Sequence, residues 1–294
     1  MMTAVVLHLR PVAEARLPLS HGSFAHAAAL QLFLRLDPQL SHRLHGEEGH
    51  KPFTCSPLGG TDRRDGFDLI LSPSQLYSWR LTGLTSEVSQ LLQRVSPQIG
   101  GINMQDAVFS IDQVSTAREQ HPEAGRETYE NLLLRWARAE PPLKMTLYFH
   151  TPTTFRVGDF LQPFPLPHLV FGSLLSAWNT FAPHPLMNLQ DSLLETLSVG
   201  NPDEKLSSDT PDALIKKLLE ETVVLSNWRG ETRLMKRGGH EAVGFVGKFT
   251  YRVIKPLPEV ARLVGLLAEF AFYAGVGWQT THGLGQVRPE LPAS

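Results

Sequence analysis

Gly275-Val276-Gly277-Trp278-Gln279-Thr280-Thr281-His282-Gly283-Leu284-Gly285-Gln286-Val287-Arg288 is the stretch around which the rest of the chain is read. Its four glycines, Gly275, Gly277, Gly283 and Gly285, let the backbone turn without Cβ clashes and approach another polymer closely. Exposed amide N–H groups in such a loop form concavities suited to anions, phosphate above all. Gln279, Thr280, Thr281 and Arg288 add donors. The stretch follows an apolar helical run, Val260 to Tyr273, and leads into a short final strand, Gly285 to Arg288. That order, helix to loop to strand, is the reverse of the usual nucleotide loops, and neither the dinucleotide spacing nor a Gly-Lys-Ser/Thr ending is present. The same glycines also fit a tight turn and nothing more, so spacing alone leaves both readings open.

Working outward, the chain has 294 residues, of which 42% are hydrophobic and 19% charged, enough for one large or two medium domains with their own cores. The formal net charge of −2 shows no global basic field, so any nucleic-acid surface has to be a local patch. The lone Cys55 excludes an intrachain disulfide and a multi-cysteine zinc module. No apolar run reaches the roughly 20 residues that span a bilayer, so no membrane partner is expected and the cytoplasm is the expected location.

Hydrophobic periodicity predicts strands at Thr3–Leu9, Phe67–Leu71, Val108–Val114, Lys144–His150, Val223–Trp228 and Ala242–Arg252. It predicts helices at Phe24–Leu36, Pro38–Leu44, Thr128–Ala139, Leu166–Thr180, Leu189–Leu197, from Pro211, and at Val260–Tyr273. Ser74 to Arg94 reads as a helix broken near Gly83, and Ser115 to Arg126 as a loop. Strand–helix–strand orders recur in both halves, which fits two α+β sandwiches side by side. Pro141-Pro142 marks the expected boundary, giving domains 1–140 and 141–294.

Five histidines, His21, His26, His42, His45 and His50, fall in one thirty-residue window. Histidine is the side chain best placed for acid or base work near neutral pH. RNA brings its own nucleophile, the ribose 2′-OH. Cleavage then needs a base for that proton, a donor for the leaving 5′ oxygen, and a cation or N–H donors for the phosphorane charge. His45 and Lys51, on either side of one turn, supply such a kit without a metal. Taken singly, each histidine also reads as a solvated surface group, and His42 and His50 are left in that class. A zinc site would need ordered spacing, such as histidines at i and i+4 around a glutamate, and His21/His26 and His42/His45 do not provide it. Arg229, Arg233, Lys236 and Arg237 crowd a hairpin that ends in Gly238-Gly239, a basic tip suited to phosphate contact or to solubility alone. Lys144, Arg156 and Lys248 extend the positive surface, whereas Trp228 and Phe245 read as core.

Gly-Val-Gly-x-x-Thr-x-x-Gly-Leu-Gly-Gln-Val resembles the C-terminal glycine-rich loop of the CRISPR repeat-processing endoribonucleases, the Cas six family. Leu44-His45-Gly46 followed by Lys51-Pro52-Phe53-Thr54 and Ser56-Pro57-Leu58 resembles the same family, as does Thr151-Pro152-Thr153-Thr154-Phe155. The resemblance runs from about Leu17 to Arg288. It implies two tandem ferredoxin-like (RRM-like) domains of the α+β class with a C-terminal glycine-rich loop. It further implies an endoribonuclease with no metal or other cofactor, which cuts CRISPR repeat RNA in the precursor to give mature guide RNAs. The products would be a 2′,3′-cyclic phosphate (or 3′-phosphate) and a 5′-OH.

His45 falls where the family has its catalytic histidine and Lys51 where some members have an assisting lysine. His26, with His21 as runner-up, stands for the second basic residue, since the tyrosine of some members has no counterpart before Tyr77. Arg229, Arg233, Lys236, Arg237, Lys248, Gly275, Gly277, Thr280, Thr281, Gly283, Gly285 and Arg288 are the expected RNA contacts. Other CRISPR effector-complex subunits are expected partners, and a homodimer is compatible with the resemblance. A non-catalytic repeat-RNA scaffold on the same fold is the alternative.

Overall fold

The computed structural model describes residues 1–46, 49–60, 63–183, 211–237, 240–255 and 257–290. The expected helix Leu189–Leu197 and the Gly238-Gly239 tip lie outside them. In chain order the elements of the first half are β1 (Met2–Pro11), β2 (Ala15–Pro18), α1 (Gly22–Leu36), α2 (Pro38–Gly46), β3 (Phe53–Cys55), β4 (Arg64–Asp65), β5 (Asp68–Leu71), β6 (Tyr77–Gly83), α3 (Ser86–Gln93), β7 (Ile102–Met104), β8 (Ala107–Ser115) and β9 (Gly125–Glu127). The second half has α4 (Tyr129–Arg138), β10 (Lys144–Thr153), β11 (Phe155–Val157), β12 (Phe160–Gln162), α5 (Pro167–Phe181), α6 (Pro211–Thr222), β13 (Val223–Arg237), β14 (His240–Val253), α7 (Pro258–Ala274), a 3-10 turn (Thr280–His282) and β15 (Val287–Glu290).

By contacts the chain forms two units. One is Met1–Thr128 with Lys236–Glu241 and Gln279–Leu284; the other is Tyr129–Met235 with Ala242–Trp278 and Gly285–Ser294. The division at Thr128 precedes the boundary expected at Pro141, because α4 packs with the second unit. There the Trp136 indole occupies space that Gly265 leaves open, and its Nε1 donates to Glu269 at 2.8 Å. Arg135 pairs with the same buried carboxylate at 2.7 Å. Gln279–Leu284 likewise belongs with the first unit, not with the half in which it stands in the sequence.

In the first unit, strands in the order β3-β6-β1-β8-β7 form one sheet, with β9 pairing β1. Val5, Leu7 and Leu9 alternate toward a core shared with Ala25, Ala29, Leu32 and Phe33 of α1 and Val88, Leu91 and Leu92 of α3. The region expected as one broken helix, Ser74 to Arg94, is instead strand β6 followed by helix α3. Tyr77, Trp79 and Leu81 enter the core at period two, and β6 pairs antiparallel with β1 from Thr3↔Gly83 to Leu9↔Tyr77. Helical spacing starts only after Thr85, whose side chain caps α3 by accepting from the Val88 N–H.

In the second unit the sheet order is β13-β14-β10-β15. Met145, Leu147, Phe149, Phe249, Tyr251 and Val287 are buried on one face. The opposite parity of the same strands reaches solvent. Trp178, Tyr129 and Phe270 meet at centroid distances of 4.9 to 5.9 Å under the buried face. Both units carry helices on one face of an antiparallel sheet, as two ferredoxin-like folds in tandem do. Among the described residues no helix is long and apolar enough to cross a membrane.

Candidate functional site

Helix α2 begins at Pro38, where Asp37 accepts from the Leu40 N–H at 2.9 Å, and buries Leu40 and Leu44. That leaves His45 in its last turn exposed. Among the described residues the His45 side chain makes no hydrogen bond or ion pair. Lys51 returns to the end of this helix: its Nζ donates to the Leu44 carbonyl at 2.7 Å and, more weakly, to that of His45 at 3.5 Å. The ammonium thus satisfies carbonyls that a helix C-terminus leaves open and sits at the negative end of the dipole. The structure therefore brings Lys51 to the backbone that carries His45. The exposed His42 lies one turn earlier.

His21 has a different place. It is 3% exposed at the head of α1, with Nδ1 3.0 Å from the Pro18 carbonyl and Nε2 2.9 Å from the Leu58 N–H. The amide can only donate, so Nε2 is the acceptor and the proton is on Nδ1. Burial holds its pKa below the usual imidazole value, against the smaller opposing effect of the Pro18 and Leu19 backbone. His21 is thus a neutral internal fastener, and its ring has no face to offer a substrate.

His26 ties α1 to the 3-10 turn. Its Nδ1 is 3.1 Å from the Thr281 carbonyl, and its ring stacks on His282 at 4.1 Å and 13°. A carbonyl only accepts, so Nδ1 carries the proton there and any proton exchange would go through Nε2. Cys55, fully buried, donates Sγ–H to the same carbonyl at 2.8 Å, and burial pushes its thiol pKa well up. The His26–His282 partnership joins positions far apart in the sequence, and no local spacing could have announced it.

The glycine-rich stretch is largely occupied by the protein itself. Its N–H groups donate at Val276 to Gly285, at Trp278 to Thr154, at Gly285 to Pro152 and at His282 to Gln279, over 2.8 to 3.1 Å. Gln286 donates to the Thr151 hydroxyl at 2.9 Å. Any side chain on Gly285, at φ 67°, would meet the Val276 carbonyl; one on Gly277, at φ 84°, would meet that of Thr154. These two glycines are used for left-handed backbone at close approach. Gly275, Gly283 and Gly285 are buried. Thr281 is buried as well, with its hydroxyl 2.9 Å from His282 Nδ1, whereas Thr280 is half-buried. The geometry therefore favours the tight-turn reading for most of the stretch.

On the β13–β14 hairpin Arg229 and Arg233 are exposed, and Arg233 pairs with Glu231 at 2.9 Å. Lys236 and Arg237 end β13, and their side chains lie outside what is described. Phe245 is core as expected, but Trp228, on the edge strand β13, is 64% exposed. Lys248 and Arg288 are exposed on the sheet's open face, and Arg156 lies exposed on β11. No three His, Cys, Asp or Glu side chains among the described residues are grouped to hold a metal ion.

Residues 147–287 match the family model for CRISPR-associated endoribonuclease Cas6. No curated protein sequence matches. Among solved structures, the Cas6 (TTHB231) product complex is 27% identical, with TM-score 0.75 over 99% of this chain and 100% of that one. Thermus thermophilus Cas6 (TTHB231) is 26% identical, with TM-score 0.70 over 99% and 98%. The Cas6 (TTHA0078) product complex is 25% identical, with TM-score 0.70 over 99% and 99%. The fold is thus one of tandem ferredoxin-like units, as in these Cas6 structures. In its second half the chain is similar to the Cas6 endoribonucleases by sequence, and over nearly its whole length by fold.

Proposed function

We propose that this protein cuts CRISPR repeat RNA within the precursor transcript, without a metal ion, and so releases guide RNAs. The observation that carries the reading is His45, an exposed imidazole with no hydrogen-bond or ion-pair partner among the described residues, on a helix end whose carbonyls bind the Lys51 ammonium. The neutral His45 ring would take the proton of the ribose 2′-OH, whose oxygen attacks the adjacent phosphorus. The P–O5′ bond breaks, and the departing oxygen takes a proton to become the 5′-OH. The 2′ oxygen and phosphorus close a 2′,3′-cyclic phosphate. Lys51 positions His45 through the helix end and offers positive charge to the pentacovalent phosphorane. His26 is the second acid/base on this reading, acting through Nε2. His21 is not, since both of its ring nitrogens are bound inside the fold.

The two similar product complexes of Cas6 support this assignment. Arg229, Arg233, Arg288 and Lys248 would meet phosphates. On this reading the protein keeps its product and presents it to other effector-complex subunits. The competing reading, a repeat-RNA scaffold that never cuts, draws on the structural work that His21, His26 and Lys51 already perform.

Incubating the protein with labelled repeat RNA in excess EDTA, beside His45→Ala, separates the two. One site-specific cut, lost in the variant while binding stays, is the expected result. Tight binding with no cut by either protein would establish the scaffold instead.

A further inference from the structure

The open face of the second unit's sheet carries features that the cleavage chemistry does not use. Tyr148 lies on β10, an inner strand, and is 42% exposed. Its direct cross-strand partners are Lys248 on β14 and Arg288 on β15. Neighbouring strands are about 4.8 Å apart, so the two cations flank the ring on both sides. One register step of two residues brings Thr146 between Thr250 and Glu290, and the next pairs Lys144 with Arg252. All of these positions share one face by strand alternation, and the core side chains take the other.

Four cations, Lys144, Lys248, Arg252 and Arg288, therefore stand on this face with one acid, Glu290, on a chain whose formal net charge is −2. Lys248 pairs with Glu290 at 2.7 Å, whereas the Arg288 side chain has no hydrogen bond or ion pair among the described residues. His150, two residues along, packs against the Tyr148 ring at 4.3 Å and 81°, which fixes the ring's orientation by an edge contact.

We infer that this face is a stacking platform for an unpaired segment of RNA: a base lies on the Tyr148 ring, and its flanking phosphates meet Lys248 and Arg288. Unpaired bases stack on exposed aromatic side chains of four-stranded sheets, and cations track the backbone beside them. A duplex keeps its bases inside and has no ring to offer Tyr148. The platform rests on the RNA-processing reading above, since it would hold a single-stranded part of the transcript, but it can be tested without any cleavage.

The test is fluorescence anisotropy with a labelled oligoadenylate of about eight nucleotides, within the range a single small domain covers. The wild-type protein is expected to bind it more tightly than the same strand annealed to oligouridylate. Tyr148→Ala should weaken single-strand binding about tenfold, the size of one base–aromatic stack, and Tyr148→Phe should keep wild-type affinity because stacking uses the ring. Arg288→Ala should lower the steepness of the salt dependence by about one phosphate contact. Equal binding by Tyr148→Ala and wild type would overturn the proposal, as would equal affinity for single strand and duplex. A protein that binds the oligonucleotide through Tyr148 yet leaves repeat RNA uncut keeps the platform and refutes the nuclease reading. One that cuts repeat RNA while indifferent to Tyr148 does the reverse.

Discussion

Replacing Lys51 with methionine removes the ammonium that closes α2 while keeping a long apolar stem. The loss includes one strong charged bond to the Leu44 carbonyl at 2.7 Å and a marginal one to His45 at 3.5 Å. A hydrogen bond to a charged group contributes about 1.5–3 kcal/mol, and partial solvent access at the helix end brings this toward the lower limit. The last turn of α2 should therefore lose about 1.5 kcal/mol of local stability, equivalent to roughly tenfold faster opening. Amide hydrogen exchange resolved at Leu44, His45 and Gly46 reads this directly, with α1 amides as the internal reference.

Activity then separates two roles. If Lys51 works by holding the turn that carries His45, single-turnover cleavage should fall by about the same tenfold. Direct stabilisation of the phosphorane charge would instead cost about 100- to 1,000-fold, the loss seen when one such donor is removed. Unchanged exchange in the last turn of α2 would refute the capping argument, whatever the rate does.

A side chain on Gly22 would meet the His282 carbonyl, so Gly22→Ala should cost about 1–3 kcal/mol by overpacking and lower the urea midpoint. Gly46→Ala, with open space around its Cβ, is the control and should leave the midpoint nearly unchanged. His21 gives a pH prediction. Its folded pKa is lowered, so below about pH 6.5 the unfolded chain takes up the proton first and stability falls as pH falls toward the folded pKa. The slope from this one group is at most about 1.4 kcal/mol per pH unit, and urea unfolding at a series of pH values should show it flattened in His21→Gln. His121, also lowered mainly by burial, adds a slope of the same sign that the substitution leaves in place.

Sequence alone carried the parts of this molecule whose reasons are local. Met145, Leu147 and Phe149 alternate against Thr146 and Tyr148, so β10 could be read at once, and α7 follows from its apolar run. β6 was harder. Its two-residue alternation runs straight into the helical spacing of α3, and the eye joins both into one helix with a break at Gly83. The position of His45 at a helix end was legible, because Pro38 and Gly46 bound the helix on either side. The employment of His21, Lys51 and most of the glycine stretch was not, since their partners are backbone groups of other elements and backbone groups leave no sequence signature. Tyr148 was visible as an outward residue, but only the register sets Lys248 and Arg288 on either side of it.

The membership of Gln279–Leu284 in the first unit has a consequence for how the molecule is made. A ribosome emits the first 128 residues long before it reaches the turn that His26 and Cys55 grip. Until then Thr281 is missing from between them, and a nascent first unit waits with that seat unfilled. Truncation just before Gln279 would therefore injure the amino-terminal unit as well as the carboxy-terminal one, and neither fold is complete until Gln279–Leu284 has been made.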